Sequence, residues 1–73
     1  MVKFKLLTAF RVLGWVEFYE DRAYANIEVW RWRLKSRNGQ NIANGGEAYA
    51  SYRNARRAFD AVADIAGGHM EEC

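Results

Sequence analysis

Apolar and polar residues alternate most cleanly between Ile27 and Ser36. Trp30, Trp32 and Leu34 fall on one side and Arg31, Arg33 and Lys35 on the other, the period-two signature of a half-buried strand. Arg37-Asn38-Gly39-Gln40 comes next. Asn-Gly between two strand-like runs predicts a tight hairpin with a type I′ turn, which needs positive φ at both central residues. The returning strand is expected over residues 40–44, with Ile42 facing inward, and Gly45-Gly46 breaks it. Upstream, residues 15–20 are aromatic and β-branched enough for another strand, with Val16 and Phe18 sharing a face. Residues 21–26 are the expected connection. At the N-terminus, Lys3-Phe4-Lys5-Leu6 alternates and predicts a strand over residues 2–12. The pattern blurs from Leu7 to Leu13, and Phe4, Leu7 and Phe10 also recur at helical spacing, so a short amphipathic helix competes there.

After Gly45-Gly46 the period changes. Ser51 has the chemistry of an N-cap. Tyr52, Ala55, Ala58, Phe59, Val62 and Ile65 or Ala66 mark one face of a four-turn helix that stops at Gly67-Gly68. Residues 67–73 are expected to be a flexible tail, or a short strand in need of a partner. The fold class that results is α+β: an antiparallel sheet of three to four strands packed against one C-terminal helix. Its expected core is Trp32, with Trp30 and Leu34, under Ala55, Phe59 and Val62.

Seventy-three residues hold one domain and sit near the lower limit for folding alone. Hydrophobic residues make up 51% of the chain, enough for a core. The usual staples of small domains are missing from the sequence. Cys73 is the only cysteine, and with His69 it falls short of a four-ligand zinc site, so no metal and no cofactor is expected. Oligomerisation is the remaining common remedy. The N-terminal apolar run is too short and too charged for a signal peptide or a membrane span, and a cytoplasmic protein is expected.

Net charge is only +2, but it is unevenly spread. Residues 31–57 carry seven cations (Arg31, Arg33, Lys35, Arg37, Arg53, Arg56 and Arg57) against Glu47 alone. Residues 58–73 carry Asp60, Asp64, Glu71 and Glu72 and no Lys or Arg. Such polarity suits an anionic partner or head-to-tail charge matching between subunits. The seven cations are the candidate binding patch. Two readings stand: a basic strand and helix that grip a nucleic-acid backbone, or the solvated outer face of an antiparallel sheet. Arg56 is also spaced to pair with Asp60 at i,i+4. The glycine-rich stretch 45–49 lacks the spacing and lysine of a phosphate-binding loop. No nucleophile–base set can be assembled, so no enzyme is expected: His69 lies in the tail, and Glu17, Glu20 and Asp21 are spread over both strand faces and a turn.

The run Trp30-Arg31-Trp32-Arg33-Leu34-Lys35-Ser36-Arg37-Asn38-Gly39 resembles the core motif of the YegP-like family of small domains of unknown function. Ile42-Ala43-Asn44-Gly45-Gly46-Glu47-Ala48-Tyr49-Ala50-Ser51 is similar to that family's next motif, and the helix follows in register. The resemblance covers about residues 16–66, leaving 1–14 as an N-terminal extension. It implies a three-stranded sheet followed by a helix, often with a closing strand, in units that pair as homodimers or tandems and exchange terminal strands. With so short a tail, the N-terminal segment is the alternative source of the closing strand. The functional expectation is a non-enzymatic protein–protein interaction module, of the kind a phage or mobile element uses to occlude a surface of a larger partner. Nucleic-acid binding is the alternative.

Overall fold

The computed structural model describes residues 1–23, 27–45 and 47–73. Its strands are β1 (Val2–Leu7), β2 (Val12–Ala23), β3 (Ile27–Ser36), β4 (Asn41–Asn44) and β5 (His69–Glu72), and its helix is α1 (Tyr52–Ile65). The α+β class with a C-terminal helix on an antiparallel sheet is as expected, but the sheet has five strands, in the order β4-β3-β2-β1-β5. Among the described residues, no helix is long and apolar enough to cross a membrane.

The fifth strand comes from the segment expected as a flexible tail or a short strand in need of a partner, and β1 is that partner. Leu6 pairs with Met70 and Phe4 with Glu72, so His69–Glu72 closes the sheet on its own chain. The N-terminal segment is likewise no appendage. β1 lies between β2 and β5, and Phe4 and Leu6 are buried. Deleting residues 1–13 would therefore remove core side chains along with an interior strand.

Two bulges explain where the period-two reading lost its footing. Between β1 and β2 the register steps from Leu6↔Gly14 to Leu7↔Val12, leaving Leu13 as an additional residue. Between β3 and β4 it steps from Leu34↔Ala43 to Lys35↔Asn41, leaving Ile42 additional. Ile42 is 58% exposed, so its expected inward placement is corrected: the bulge shifts it out of phase with the core face. The strand expected over 2–12 is likewise interrupted. It ends at Leu7, and β2 begins at Val12, three residues ahead of its expected start. β2 and β3 also extend into the expected connection as far as Ala23 and Ile27; Tyr24, Ala25 and Asn26 lie outside the described residues, as does Gly46.

The Asn-Gly hairpin forms with a different turn. The Gly39 N–H donates to the Ser36 carbonyl at 3.0 Å and the Ser36 N–H to the Gln40 carbonyl at 2.8 Å. That leaves a three-residue loop whose central pair is Arg37 and Asn38, followed by Gly39 at φ +87°. Gly39 has the expected positive φ, but it follows the central pair of the turn instead of belonging to it, so a three-residue loop replaces the expected two-residue type I′ connection.

The helix starts as its sequence dictates. Ser51 is the N-cap, its side chain accepting from the Asn54 N–H at 3.2 Å. It ends in a Schellman arrangement: Gly68 N–H to the Ala63 carbonyl (2.9 Å), Gly67 N–H to the Asp64 carbonyl (3.0 Å), with Gly67 at φ +73°. Its buried stripe is Ala55, Phe59 and Ala63, with Tyr52 half-buried above them. Val62, expected in the core, is 36% exposed, and Ile65 is fully out. With Phe59 fixed against Trp32 at 5.0 Å and Phe18 at 6.1 Å, the next position on the same line is Ala63, four residues on. Val62 falls to the flank.

Trp32 is 7% exposed and meets Phe59 edge-on, while Trp30 tilts against Tyr52 at 5.3 Å. A Cβ on Gly45 would come within 2.6 Å of the Trp32 indole nitrogen, so the glycine lets the chain leaving β4 lie flat on the ring. Trp32→Ala is expected to cost about 3–5 kcal/mol, a large share of a small domain's stability. Val62→Ala is expected to stay within about 0.5 kcal/mol of the parent. Chemical denaturation of both variants checks the helix register, and equal losses would contradict it. Gly39→Val forces a β-branched residue into positive φ and is expected to cost about 1–3 kcal/mol, with a smaller effect from Asn38→Asp, read from the same curves.

Candidate binding surfaces

Because Trp30, Trp32 and Leu34 turn toward α1, Arg31, Arg33 and Lys35 occupy the opposite, open face of the sheet. Arg53, Arg56 and Arg57 are on the helix that covers the other face. The seven cations singled out from the sequence therefore do not form one surface. Three lie on the open face and three on the helix; Arg37 is in the β3–β4 loop at one end of the sheet.

On the open face the register brings Lys3, Glu17 and Arg33 into one row, Lys5, Trp15 and Lys35 into the next, and Tyr19 beside Arg31. The strand cations are already engaged. Arg33 Nε donates to Glu17 Oε1 at 2.6 Å, Lys35 Nζ lies 3.6 Å from the same oxygen, and Arg31 Nε donates to Asp21 at 3.0 Å. Arg33 also covers the Tyr19 ring at 4.8 Å, and Lys3 the Trp15 ring at 5.9 Å. These long side chains roof over Glu17, leaving it 5% exposed on a face otherwise open to water. Burial is the largest influence on its carboxyl and pushes the pKa up. The Arg33 hydrogen bond, with the charges of Arg33 and Lys35, more than reverses this and holds the pKa below its ordinary value of 4.5.

On the helix, the charges oppose the macrodipole. Arginines occupy its first half and Asp60 and Asp64 its second, with no acid in the first turn and no base in the last. Arg56 lies over the Phe4 ring at 4.6 Å instead of pairing with Asp60. Arg53 and Arg57 are exposed. Between α1 and β5 runs a groove of about 480 Å³, where Ala61, Ala63, Gly68 and Met70 are joined by Asp60 and Asp64 and also by Arg56 and His69, so both signs of charge line it.

A larger open cleft, about 640 Å³, lies at the end of the sheet where the β1–β2 turn meets the β3–β4 hairpin. Leu13 and Ile42, the two bulge residues, both line it with Val12, and Arg11, Arg37 and Gln40 supply polar walls. Bulges commonly re-aim side chains beside functional sites. Next to the cleft, Phe10 stands 95% exposed. Its turn is tied down: Thr8 Oγ1 accepts from the N–H groups of Phe10 and Arg11, each at 3.2 Å, and the Thr8 N–H donates to the Arg11 carbonyl at 2.9 Å. In the sequence Phe10 stood out only through its helical spacing from Phe4 and Leu7, and Arg11 not at all; the signal at both was the loss of alternation after Leu7.

Glu17→Gln should lower stability at neutral pH by about 1–3 kcal/mol, since Arg33 and Lys35 lose the negative charge they share and keep only a neutral amide oxygen. The parent's acid sensitivity has a definite sign. A carboxyl with a lowered folded pKa stabilises fully above its unfolded value, here about 4.5, and loses that contribution as pH falls through the folded value. Denaturation between pH 7 and 3 should show the parent and variant converging on the acid side. A constant gap across that range would contradict the buried pairing.

No curated protein and no solved structure matches the chain. A family model does, over residues 28–69, which span β3, β4 and α1 and reach the first residue of β5. The YegP-like resemblance is borne out by this match, which takes in both motifs and the helix: the chain belongs to the family described as a domain of unknown function, DUF1508.

Proposed function

We propose that the chain is a non-enzymatic protein-interaction module that engages its partner through the end of the sheet bearing Phe10. The observation that carries this is the pairing of a fully exposed aromatic with a rigid, side-chain-stapled turn. Exposed aromatics on pre-organised backbone are the usual anchors of protein interfaces, because little entropy is lost when they dock. The neighbouring cleft adds the apolar bulge residues Leu13 and Ile42 and the cations Arg11 and Arg37, a mixture typical of an interface with an apolar centre and polar rim. The occlusion of a larger partner's surface, expected from the chain's size, fits a projecting anchor of this sort.

Nucleic-acid binding is the second reading, favoured by Trp15 and Tyr19 set among Lys3, Lys5, Arg31, Arg33 and Lys35 on the open face. Glu17 and Asp21 weigh against it, since they neutralise part of that face and hold its cations in place.

Crosslinking from cells of the native source with parent, Phe10→Asp and Lys3→Ala/Lys5→Ala/Arg31→Ala baits, the last chosen to leave the Glu17 pairs intact, separates the two. The module reading expects defined protein partners that the triple variant keeps and Phe10→Asp loses. Binding to single-stranded oligonucleotide that falls steeply with log salt, and is abolished by the triple variant alone, would overturn it.

A further inference from the structure

We infer that the cleft beside Phe10 takes an acidic segment of a partner protein, its carboxylates held between Arg11 and Arg37 and an aliphatic side chain seated on Leu13 and Ile42. This rests on the interaction-module reading and names the chemistry of the partner. The charged side chains that line the cleft are Arg11 and Arg37, and no carboxylate among the described residues lines it. Gly14 and Ser36 are the last register pair of β2 and β3 at this end, so the two arginines lie beyond the ladder, on separate turns. Both are exposed, and neither has an ion-pair partner among the described residues. Each turn is held by its own hydrogen bonds. Thr8 Oγ1 ties down the first; in the second, Ser36 Oγ donates to Asn38 Oδ1 and the Gly39 N–H to the Ser36 carbonyl at 3.0 Å. A guanidinium offers a carboxylate two parallel hydrogen bonds, and backbone fixed in advance loses little entropy when they form.

The other charged surfaces differ in kind. On the open face Arg31, Arg33 and Lys35 already have Asp21 and Glu17. The cleft over Arg53, Arg56 and Arg57 includes Asp60, and Arg56 is occupied over the Phe4 ring. The α1–β5 groove sets Asp60 and Asp64 beside Arg56 and His69. In the Phe10 cleft an incoming carboxylate meets positive charge alone. The apolar lining decides between two kinds of anion. A nucleic-acid strand is gripped by a longer row of cations and by aromatic platforms for its bases. Here two cations flank Val12, Leu13 and Ile42, and Ile42 is 58% exposed. That aliphatic surface is matched by a side chain of a peptide, not by a phosphate or a sugar. Phe10, 95% exposed beside the cleft, packs along the same segment.

Selection from a random peptide library displayed on phage, with the immobilised parent as target, tests the chemistry without a known partner. The parent is expected to enrich segments that combine aspartate or glutamate with an aliphatic residue. In fluorescence anisotropy with the selected peptides, Arg11→Ala/Arg37→Ala should bind at least about tenfold more weakly, as the loss of charge-assisted hydrogen bonds dictates, and Phe10→Ala should bind more weakly too. Used as the target itself, Arg11→Glu/Arg37→Glu should enrich basic segments instead. Lys3→Ala/Lys5→Ala/Arg31→Ala, on the open face, should bind as the parent does. Phe10, Arg11 and Arg37 are exposed, so the variants should fold; circular dichroism verifies that they do. Selected segments with no acidic bias, equal affinity of the parent and Arg11→Ala/Arg37→Ala, no enrichment at all, or a preference for a single-stranded oligonucleotide over the selected peptides would each overturn the inference. If the parent selects segments without acidic residues and Phe10→Ala loses them, the partner's chemistry is wrong and the module reading stands. If nothing is enriched, the inference falls and the crosslinking with Phe10→Asp decides the module reading by itself. If Phe10→Ala and Arg11→Ala/Arg37→Ala both bind as the parent does, both fall.

Discussion

Phe18 is fully buried at the centre of the sheet, and three edge-to-face contacts converge on its ring: Phe4 of β1 at 6.0 Å, Tyr52 at the helix start at 5.6 Å, and Phe59 at the helix middle at 6.1 Å. One side chain thus ties the N-terminal strand and two turns of the helix to β2. Everything else is arranged around it. The other buried positions of the helix are Ala55 and Ala63, small enough to let Phe59 reach between Phe18 and Trp32. In a chain of this size, without disulfide or metal-binding cysteines to staple it, such a cluster is where the hydrophobic stabilisation is concentrated.

The same geometry decides what the surfaces contain. Once Phe4, Phe18 and Trp32 point to the helix, strict alternation sends Lys3, Glu17 and Arg33 to the opposite side in one row. Opposite charges brought side by side satisfy one another, which is why the most basic strand of the chain has so little unpaired charge. Where alternation fails, at Leu13 and Ile42, apolar side chains reach the surface at the same end of the sheet, beside Phe10. The candidate interface is therefore a consequence of two bulges and one tight turn, set off from the regular part of the fold.

The same packing decides how much of the fold was legible in the sequence. β3, the helix with its Ser51 cap and Gly67 stop, and the buried Trp32 follow from local periodicity and capping chemistry, and these were legible. The bulges were not, because an additional residue shows in sequence only as a blurred pattern, and Ile42 was placed on the wrong side as a result. The final strand was legible only as one of two alternatives, a flexible tail or a short strand in need of a partner: His69–Glu72 has no strand-like composition of its own, and its partner β1 lies more than sixty residues away in sequence. The seven cations were identified one by one, but composition does not say that β3 and α1 present theirs on opposite faces, or that Glu17 lies beneath Arg33.

The proposed interaction surface lies at one end of the molecule, away from the basic open face. Amide chemical shifts of the isotope-labelled chain, followed as protein captured by the parent bait is titrated in, test it residue by residue. Changes should centre on the turn around Phe10, the bulge residues Leu13 and Ile42, and the loop at Arg37. Shifts centred on Lys5, Trp15, Tyr19 and Arg31 would contradict it.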